Sequence, residues 1–545
     1  MTSETDQLRE IESRNFLGQL AGYAKLSGPG WLQAAVTLGG GSLAGALYLG
    51  VIAGYSLMWL QPLAMLCGVI MLGALAHVTL SSSNTPFDSV NRHISPVLAW
   101  GWLLATVLAD IVFCTAQASL GVATLRQNLG LAGVNPYIIT AALSLIAFSS
   151  ATLYALGSSA MAKLELILKI LVAMVMISFA ASAGVLLFNG RIDLTALFQG
   201  FIPNPSALFR PAGSLDEMIA ATGEAATFWN QYVIDQQRDR VIAAFGTAVG
   251  INMVFLLPYT IIKRGWTKAH RRLSRFDLVL ALFFPFSIAT ALLVISSASA
   301  FHANDNGVLD EEGNPLPSLE AGYYKILDAR LESEGIVSES TTEQRLLANQ
   351  LPLTERQLAA ALTNRDAKQL AATLSPLMGS RAANLVFGVG ILSMALSTMM
   401  VHMLMNGFAI SQAVGKLGAP LPFIVGAAMP AILAIFAPLA WTGGSKTALL
   451  IPAAVIATVF LPIAYLAILL LINSRSVLLE KDRPSLLVNL LMVLSAGVAC
   501  FASTWLLINR GPFGWVGLAG LVVLAIIGIA GFVRKQSGFS GTLSK

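Results

Sequence analysis

Apolar residues run in blocks of eighteen or more along almost the whole chain, separated by shorter polar stretches. As helices, blocks of that length cross a hydrocarbon layer of about 30 Å. Twelve spans are predicted. The first five cover roughly residues 28–52, 55–80, 97–122, 136–156 and 164–188, and the sixth and seventh 241–262 and 277–301. The last five fall near 384–412, 420–440, 446–472, 485–508 and 513–533. Polar residues gather in the N-terminal segment 1–27, in two insertions at 189–240 and 302–383, and in the tail 534–545. Parts of both insertions (EMIAATGEAATFWNQYVIDQQ, TEQRLLANQLPLTERQLAAAL) are patterned as helix, so small ordered caps are expected there.

The first block breaks the pattern. Within GPGWLQAAVTLGGGSLAGALYLGVIAGY, Gly28 to Tyr55, three glycines (Gly39, Gly40 and Gly41) stand at mid-depth. Each costs a helix about 1 kcal/mol relative to alanine, so the run predicts local unwinding. Irregular backbone at membrane depth is tolerated where protein buries it or a cavity exposes it. The sixth block holds a weaker interruption, TAVGINMVF, with Gly250 and Asn252. Spans one to five and six to ten make two groups of five, 28–188 and 241–472. An odd number per group inverts the second, and the sixth span then pairs with the first. The expected fold is an all-α polytopic membrane protein, a 5+5 inverted repeat with broken helices 1 and 6 and a midplane site between them. Spans 485–533 follow the repeat.

Composition agrees with a membrane chain: 56% hydrophobic and 11% charged residues, with a mean hydropathy of +0.73. The net charge of +5 is distributed as loops rather than as a nucleic-acid surface. The loop KRGWTKAHRRLSR at 263–275 has six Lys/Arg and no acid, whereas 302–383 holds twelve Asp/Glu against seven Lys/Arg. Arg92, Lys163, Lys416, Arg475, Lys481, Arg483, Arg534 and Lys535 fall on the same side as the basic loop, which predicts cytoplasmic N- and C-termini in a plasma (inner) membrane. The start, MTSETDQLREIESRNF, has no apolar signal core. Cys67, Cys114 and Cys500 all lie in apolar segments and suggest neither disulfides nor a metal motif. No cofactor, ATP-binding motif or nucleophile–base pair is evident, so an enzyme is not expected and any driving force is an ion gradient.

Asp110 is the main ionisable group inside a span, and such groups usually face a cavity or a partner. With His402, the side-chain type suited to carrying a proton at physiological pH, it is the candidate for proton or ion coupling. The methionines around His402 (Met394, Met399, Met400, Met403, Met405) wrap around their helix and read as packing. Glu165 and Lys169, one turn apart, are expected to pair.

GPGW with the later Gly54–Tyr55, KLE at 163–165, SSASAFH ending at His302, and LVFGVGIL at 385–392 stand in an order that resembles the natural-resistance-associated macrophage protein (Nramp) family. The resemblance implies proton-coupled divalent-metal transport on the leucine-transporter fold. It also implies changed ligands. Counting back from Gly54, the family's Asp-Pro-Gly-Asn falls on Gly39, Gly40, Gly41 and Ser42. Aligning GTAV at 246–249 places its Met-Pro-His on Gly250, Ile251 and Asn252; a rival alignment uses Leu257, Pro258 and Tyr259. Asp110 matches an aspartate of proton handling, and the glutamate three residues on becomes Phe113.

Metal ligands are therefore not predicted in the usual form. Gly39, Gly40, Gly41, Ser42, Gly250 and Asn252 offer carbonyls and neutral oxygens, a poor set for Mn²⁺ or Fe²⁺. Losing the larger side chains is expected to enlarge the cavity, and helix N-termini there favour an anionic group. The expected function is an Nramp-related, gradient-driven secondary transporter of a small solute, by resemblance a divalent cation. The alternatives are transport of a small organic or monovalent solute, or a non-transporting receptor or scaffold. The lipid bilayer and a small solute or ion are the expected partners, without nucleic acid; no protein partner is predicted.

Overall fold

The structure is a computed structural model that describes residues 4–542 except 155–156, 306, 311, 366 and 441–449. The described chain is helical, with one isolated bridge between Leu309 and Pro315. Nine described helices are long and apolar enough to cross a membrane alone, from Leu60–Ser82 to Gly511–Ser537. A tenth span is the bent pair Pro29–Thr37 and Gly40–Ala53, whose axes differ by 52°. The remaining two expected spans are a second interrupted helix, Ala226–Ala248 followed by Ile251–Lys263, and the short Pro420–Ile435. The expected end of the fourth span (155–156) and start of the tenth (446–449) lie outside the described residues.

The sixth segment begins earlier than its hydropathy suggested. The helix starts at Ala226 rather than near 241 and includes Gln236, Asp239 and Arg240. Its polar half packs against Gly40–Ala53 and Leu450–Ile472, so burial against protein replaces the apolar stretch that a lipid-facing helix needs.

Small residues let the long helices approach closely, as expected where lipid supplies no hydrophobic drive between helices. At Gly426 an added Cβ would lie 2.6 Å from the Asn406 carbonyl and 2.9 Å from the Gly407 Cα. That contact binds Ser380–Ala413 to Pro420–Ile435. Gly50 has no room for a Cβ either, because Ser297 crosses beside it and donates to the Leu47 carbonyl at 2.5 Å. Ser380–Ala413 is the centre of the bundle, packed on Pro96–Gln127, Ser158–Phe188 and the first half-helix.

One end is closed by polar contacts. The Asp277 carboxylate, beside a π-helical turn at Leu278–Phe283, accepts from the N–H groups of Gly28 (3.1 Å) and Gly30 (2.6 Å) and from the Ser27 hydroxyl. It caps the N-terminus of Pro29–Thr37, where free N–H groups and the helix dipole favour an anion. Next to it, Glu165 binds Arg264 at 2.8 Å, both side chains being nearly buried. This corrects the expected Glu165–Lys169 pair: Lys169 donates instead to the Ser27 carbonyl at 3.1 Å. A cross-helix guanidinium, whose Nη1 donates to both Glu165 oxygens at 2.8 Å, has replaced the local partner.

At the other end, parts of the two insertions share a second core built on Leu215, Trp229, Val233, Tyr323, Leu327 and Leu358. Helices occupy Glu320–Ser333, Thr341–Gln350, Leu353–Leu362 and Ala367–Met378. Glu355 ties this cap together, accepting from Trp229 Nε1 at 2.8 Å and Arg330 Nε at 2.7 Å.

Candidate functional site

Both predicted breaks exist, and they face each other. The first is tighter than three glycines suggested. Leu38 and Gly39 alone leave the helix, while Gly40, Gly41 and Ser42 form the opening turn of Gly40–Ala53. Gly40 donates its N–H to Gln117 Oε1 at 3.2 Å, and the Ser42 hydroxyl donates to the Thr37 carbonyl. The new helix start is thus capped by neighbours, which offsets the glycine penalty. Gly39 is needed for space: a Cβ there would come 2.6 Å from Thr398 Oγ1. The second break lies at Val249 and Gly250, both extended, which agrees with the alignment through GTAV; Pro258 of the rival sits inside a continuous helix.

The two breaks are laced together by polar contacts. Thr37 Oγ1 donates to the Ala248 carbonyl at 2.6 Å, and Gln33 Nε2 to the Met253 carbonyl at 3.2 Å. Ser397 and Thr398 hold the Ala35 carbonyl at 3.0 and 3.2 Å. The carbonyls released by unwinding therefore have partners.

Between the breaks lies a cavity of about 30 Å³. Gly39, Gly41 and Ser42 line one side, Gly250, Asn252 and Met253 the other, and Phe113, Gln117 and His402 complete the wall. Gly40 is not in the lining. The volume overturns the expectation of an enlarged cavity, because Phe113, Met253 and Thr398 fill the space. Such a space holds about one water or one ion.

Behind the wall sits a buried polar triangle. His402 Nδ1 lies 2.9 Å from Asp110 Oδ1, Asn252 Nδ2 donates to the same oxygen at 3.0 Å, and Asn252 Nδ2 is 3.2 Å from His402 Nδ1. Asn252 is fixed by its own Oδ1, which accepts from the Met253 N–H at 3.0 Å. Phe113 stacks on the imidazole, ring centroids 5.3 Å apart. Two proton arrangements satisfy the triangle. With a proton on Nδ1, histidine donates to the carboxylate. With the proton on Asp110, the carboxyl donates to a bare Nδ1, which also accepts from Asn252. Asp110 Oδ2 is buried without a partner among the described residues. Asp110 reaches the cavity through His402 and Asn252 rather than lining it.

Sequence reasoning missed Met253, Thr37 and Gln117. Met253 Sδ lies 3.2 Å from Thr37 Oγ1 at the cavity, so a thioether returns three residues after Gly250, where the alignment had lost one. Met253, next to Asn252 in an otherwise apolar run, was legible as filling, and only the break geometry turns it inward. Among the described residues no three His, Cys, Asp or Glu side chains converge as a metal site.

Comparison with known proteins bears on this arrangement. The family model for natural resistance-associated macrophage protein-like proteins matches residues 30–314 and 356–509. No curated protein matches. Among solved structures, the manganese transporter of Eremococcus coleocola in complex with an aromatic bis-isothiourea compound superposes with a TM-score of 0.66 at 15% identity, covering 96% of this chain and 97% of that one. A histidine-to-alanine variant of the same transporter gives 0.58 at 14% identity, with coverage of 96% and 97%. The likeness is one of fold.

Proposed function

This chain belongs to the natural resistance-associated macrophage protein-like family of membrane transporters, and on that premise we propose that it carries a transition-metal cation across the membrane, coupled to protons. The observation that carries the reading is the ion-sized cavity between two helix breaks, with a proton-sharing Asp110–His402–Asn252 triangle behind its wall. Ser42 supplies a hydroxyl, Asn252 an amide and Met253 a thioether, while Gly39, Gly41 and Gly250 keep the space beside them free of side chains; the Gly39 and Gly250 carbonyls bond onward to the N–H groups of Leu43 and Val254 at 3.1 and 3.3 Å. Gly40 positions the helix start. A thioether and an imidazole among neutral oxygens select softer divalent ions over Mg²⁺ or Ca²⁺. The manganese carried by the Eremococcus transporter fits that class.

The charge of the entering cation is balanced by the triangle. When the Asp110–His402 pair carries one extra proton, as imidazolium beside carboxylate or imidazole beside carboxylic acid, an entering cation favours release of that proton to water, leaving a neutral His402 and the Asp110 carboxylate as the counter-charge. Opening one end of the bundle at a time then exposes the cavity alternately to the two sides. The basic loop 263–275 and both termini lie in the cytoplasm, and the 302–383 cap is external, by the positive-inside pattern. A cavity of about 30 Å³ speaks against an amino acid or other organic solute at this position.

Calorimetric titration of the purified protein tests this. Saturable Mn²⁺ binding with proton release, weakened about tenfold or more in Met253→Leu, is expected. Equal responses to Mn²⁺ and Mg²⁺ in both proteins would contradict the assignment.

A further inference from the structure

Above the midplane cavity lies a second, larger one of about 360 Å³, and Gly41 lines both. Its inner wall is one face of Gly40–Ala53, with Gly45 and Tyr48, joined by Gln61, Gln236 and Arg240. Its roof comes from the cap, through Gly322, Lys325 and Asn364, and Arg510 stands at its edge. The volume is at the lower end of small-molecule sites, which run about 300–1,000 Å³.

Its charge is unexpected on the approach to a cation site. Arg240, Lys325 and Arg510 face it against one carboxylate, Asp239, which already accepts from Trp505 Nε1 at 3.3 Å. Among the described residues no carboxylate pairs with any of these three cations within 4.0 Å. The Arg240 guanidinium is braced 5.1 Å over the Tyr48 ring, and Tyr48 in turn donates to Gln236 at 3.3 Å. A bare divalent cation entering this chamber is repelled, and an anion is drawn in.

The neutral groups narrow the ligand further. Among the described residues, Arg240 Nε, Gln61 Oε1, and both Oδ1 and Nδ2 of Asn364 are buried without partners, and all three residues line this same chamber. Gln61 is only 3% exposed. Unsatisfied buried polar atoms cost about 1–3 kcal/mol each, so a ligand that satisfies them is favoured. Donors on Arg240 and Asn364 call for carboxylate oxygens; acceptors on Gln61 and Asn364 call for hydroxyl hydrogens. Inorganic phosphate keeps one or two protons at neutral pH and offers both kinds of group, but on one compact centre, whereas a chamber of about 360 Å³ has room for a chain that carries them apart.

We propose that this vestibule binds a small hydroxycarboxylate, the anionic companion with which the cation reaches the midplane cavity. The companion is too large for the inner cavity and stays outside. Its role as companion rests on the transport reading; its binding does not.

Citrate is the probe, and thermal unfolding of the purified full chain is the readout, since a ligand of the native state raises apparent stability. A saturable upward shift is expected with citrate, weaker with a tricarboxylate lacking the hydroxyl, and none with inorganic phosphate or chloride at matched ionic strength. Arg240→Gln should raise the half-saturating concentration at least tenfold. Gly45→Leu tests the chamber without touching a charge: nothing lies within 4 Å of the position an added Cβ would take, so the variant should fold and lose the response by filling the space. Identical citrate curves in wild type and Gly45→Leu, or an equal shift from phosphate, overturns the proposal. Metal uptake without a citrate response removes the vestibule site alone; a citrate response without any metal uptake removes the transport reading and leaves the site standing.

Discussion

Gly39 shows how little of a glycine's meaning is visible in sequence. GGGS predicted a flexible stretch, yet two of its glycines are helical and the third stands where Thr398 leaves no room for a Cβ. Gly39→Ala should therefore cost at least tenfold in uptake, and Thr398→Ala in the same chain should restore part of it, because the obstacle is one side chain; initial uptake rates of the single and double variants check this. The candidate pair Asp110 and His402 was legible as two isolated polar residues in apolar spans. Their meeting at 2.9 Å was not, since 292 residues separate them in the chain. Asn252 was read as a substrate ligand and emerges with a double role, lining the cavity and orienting the carboxylate. Met253 was hidden because a methionine among Val, Phe and Leu looks like core; only the turn at Gly250 gives it a different face.

Broken helices were the most legible elements, and their boundaries the least. The break at Gly250 stood where the repeat required one, but the polar stretch before 241, expected as a helix of the external cap, is the first half of the same helix, which begins at Ala226. Hydropathy reports lipid contact, and that half touches protein. The closed end of the bundle depends on cross-helix ions that no local spacing encodes. Removing one partner of a nearly buried pair leaves an uncompensated charge, so Glu165→Ala should destabilise by about 3 kcal/mol, while a Glu165→Leu, Arg264→Met double variant should recover most of it; denaturation in detergent measures both. On the same side, the loop carboxylate of Asp482 is bound by Lys268 at 2.6 Å and Arg271 at 3.0 Å. The Lys268 hydrogen bond, followed by those and the charge of Arg271, holds it below the usual carboxylate range. Its contribution to stability is present above the ordinary carboxylate pKa and is lost as pH falls through the lowered value. Between pH 5 and 3 (ordinary carboxylate pKa about 4) the unfolding temperature of wild type should fall more than that of Asp482→Asn, and parallel profiles would remove this latch from the account.

The whole molecule joins a membrane bundle to a cap with its own core. On the orientation proposed from the charge asymmetry of its loops, a cysteine placed at Ser338 in the cap should react with an impermeant thiol reagent added outside, and one at Ser13 only after permeabilisation; the opposite pattern would invert the topology. Between those faces, on the proposed function, one buried triangle couples a cation to a proton. The most direct test is Mn²⁺ uptake into proteoliposomes with and without an inward proton gradient, in wild type and Asp110→Asn. Asparagine keeps the shape and hydrogen bonds of the triangle but cannot exchange a charge. The gradient should accelerate uptake severalfold in wild type, whereas the variant, its Mn²⁺ affinity lowered by loss of the counter-charge, should keep a slower uptake on which the gradient has no effect. Gradient-driven uptake that survives Asp110→Asn, or wild-type uptake indifferent to the gradient, would contradict this coupling.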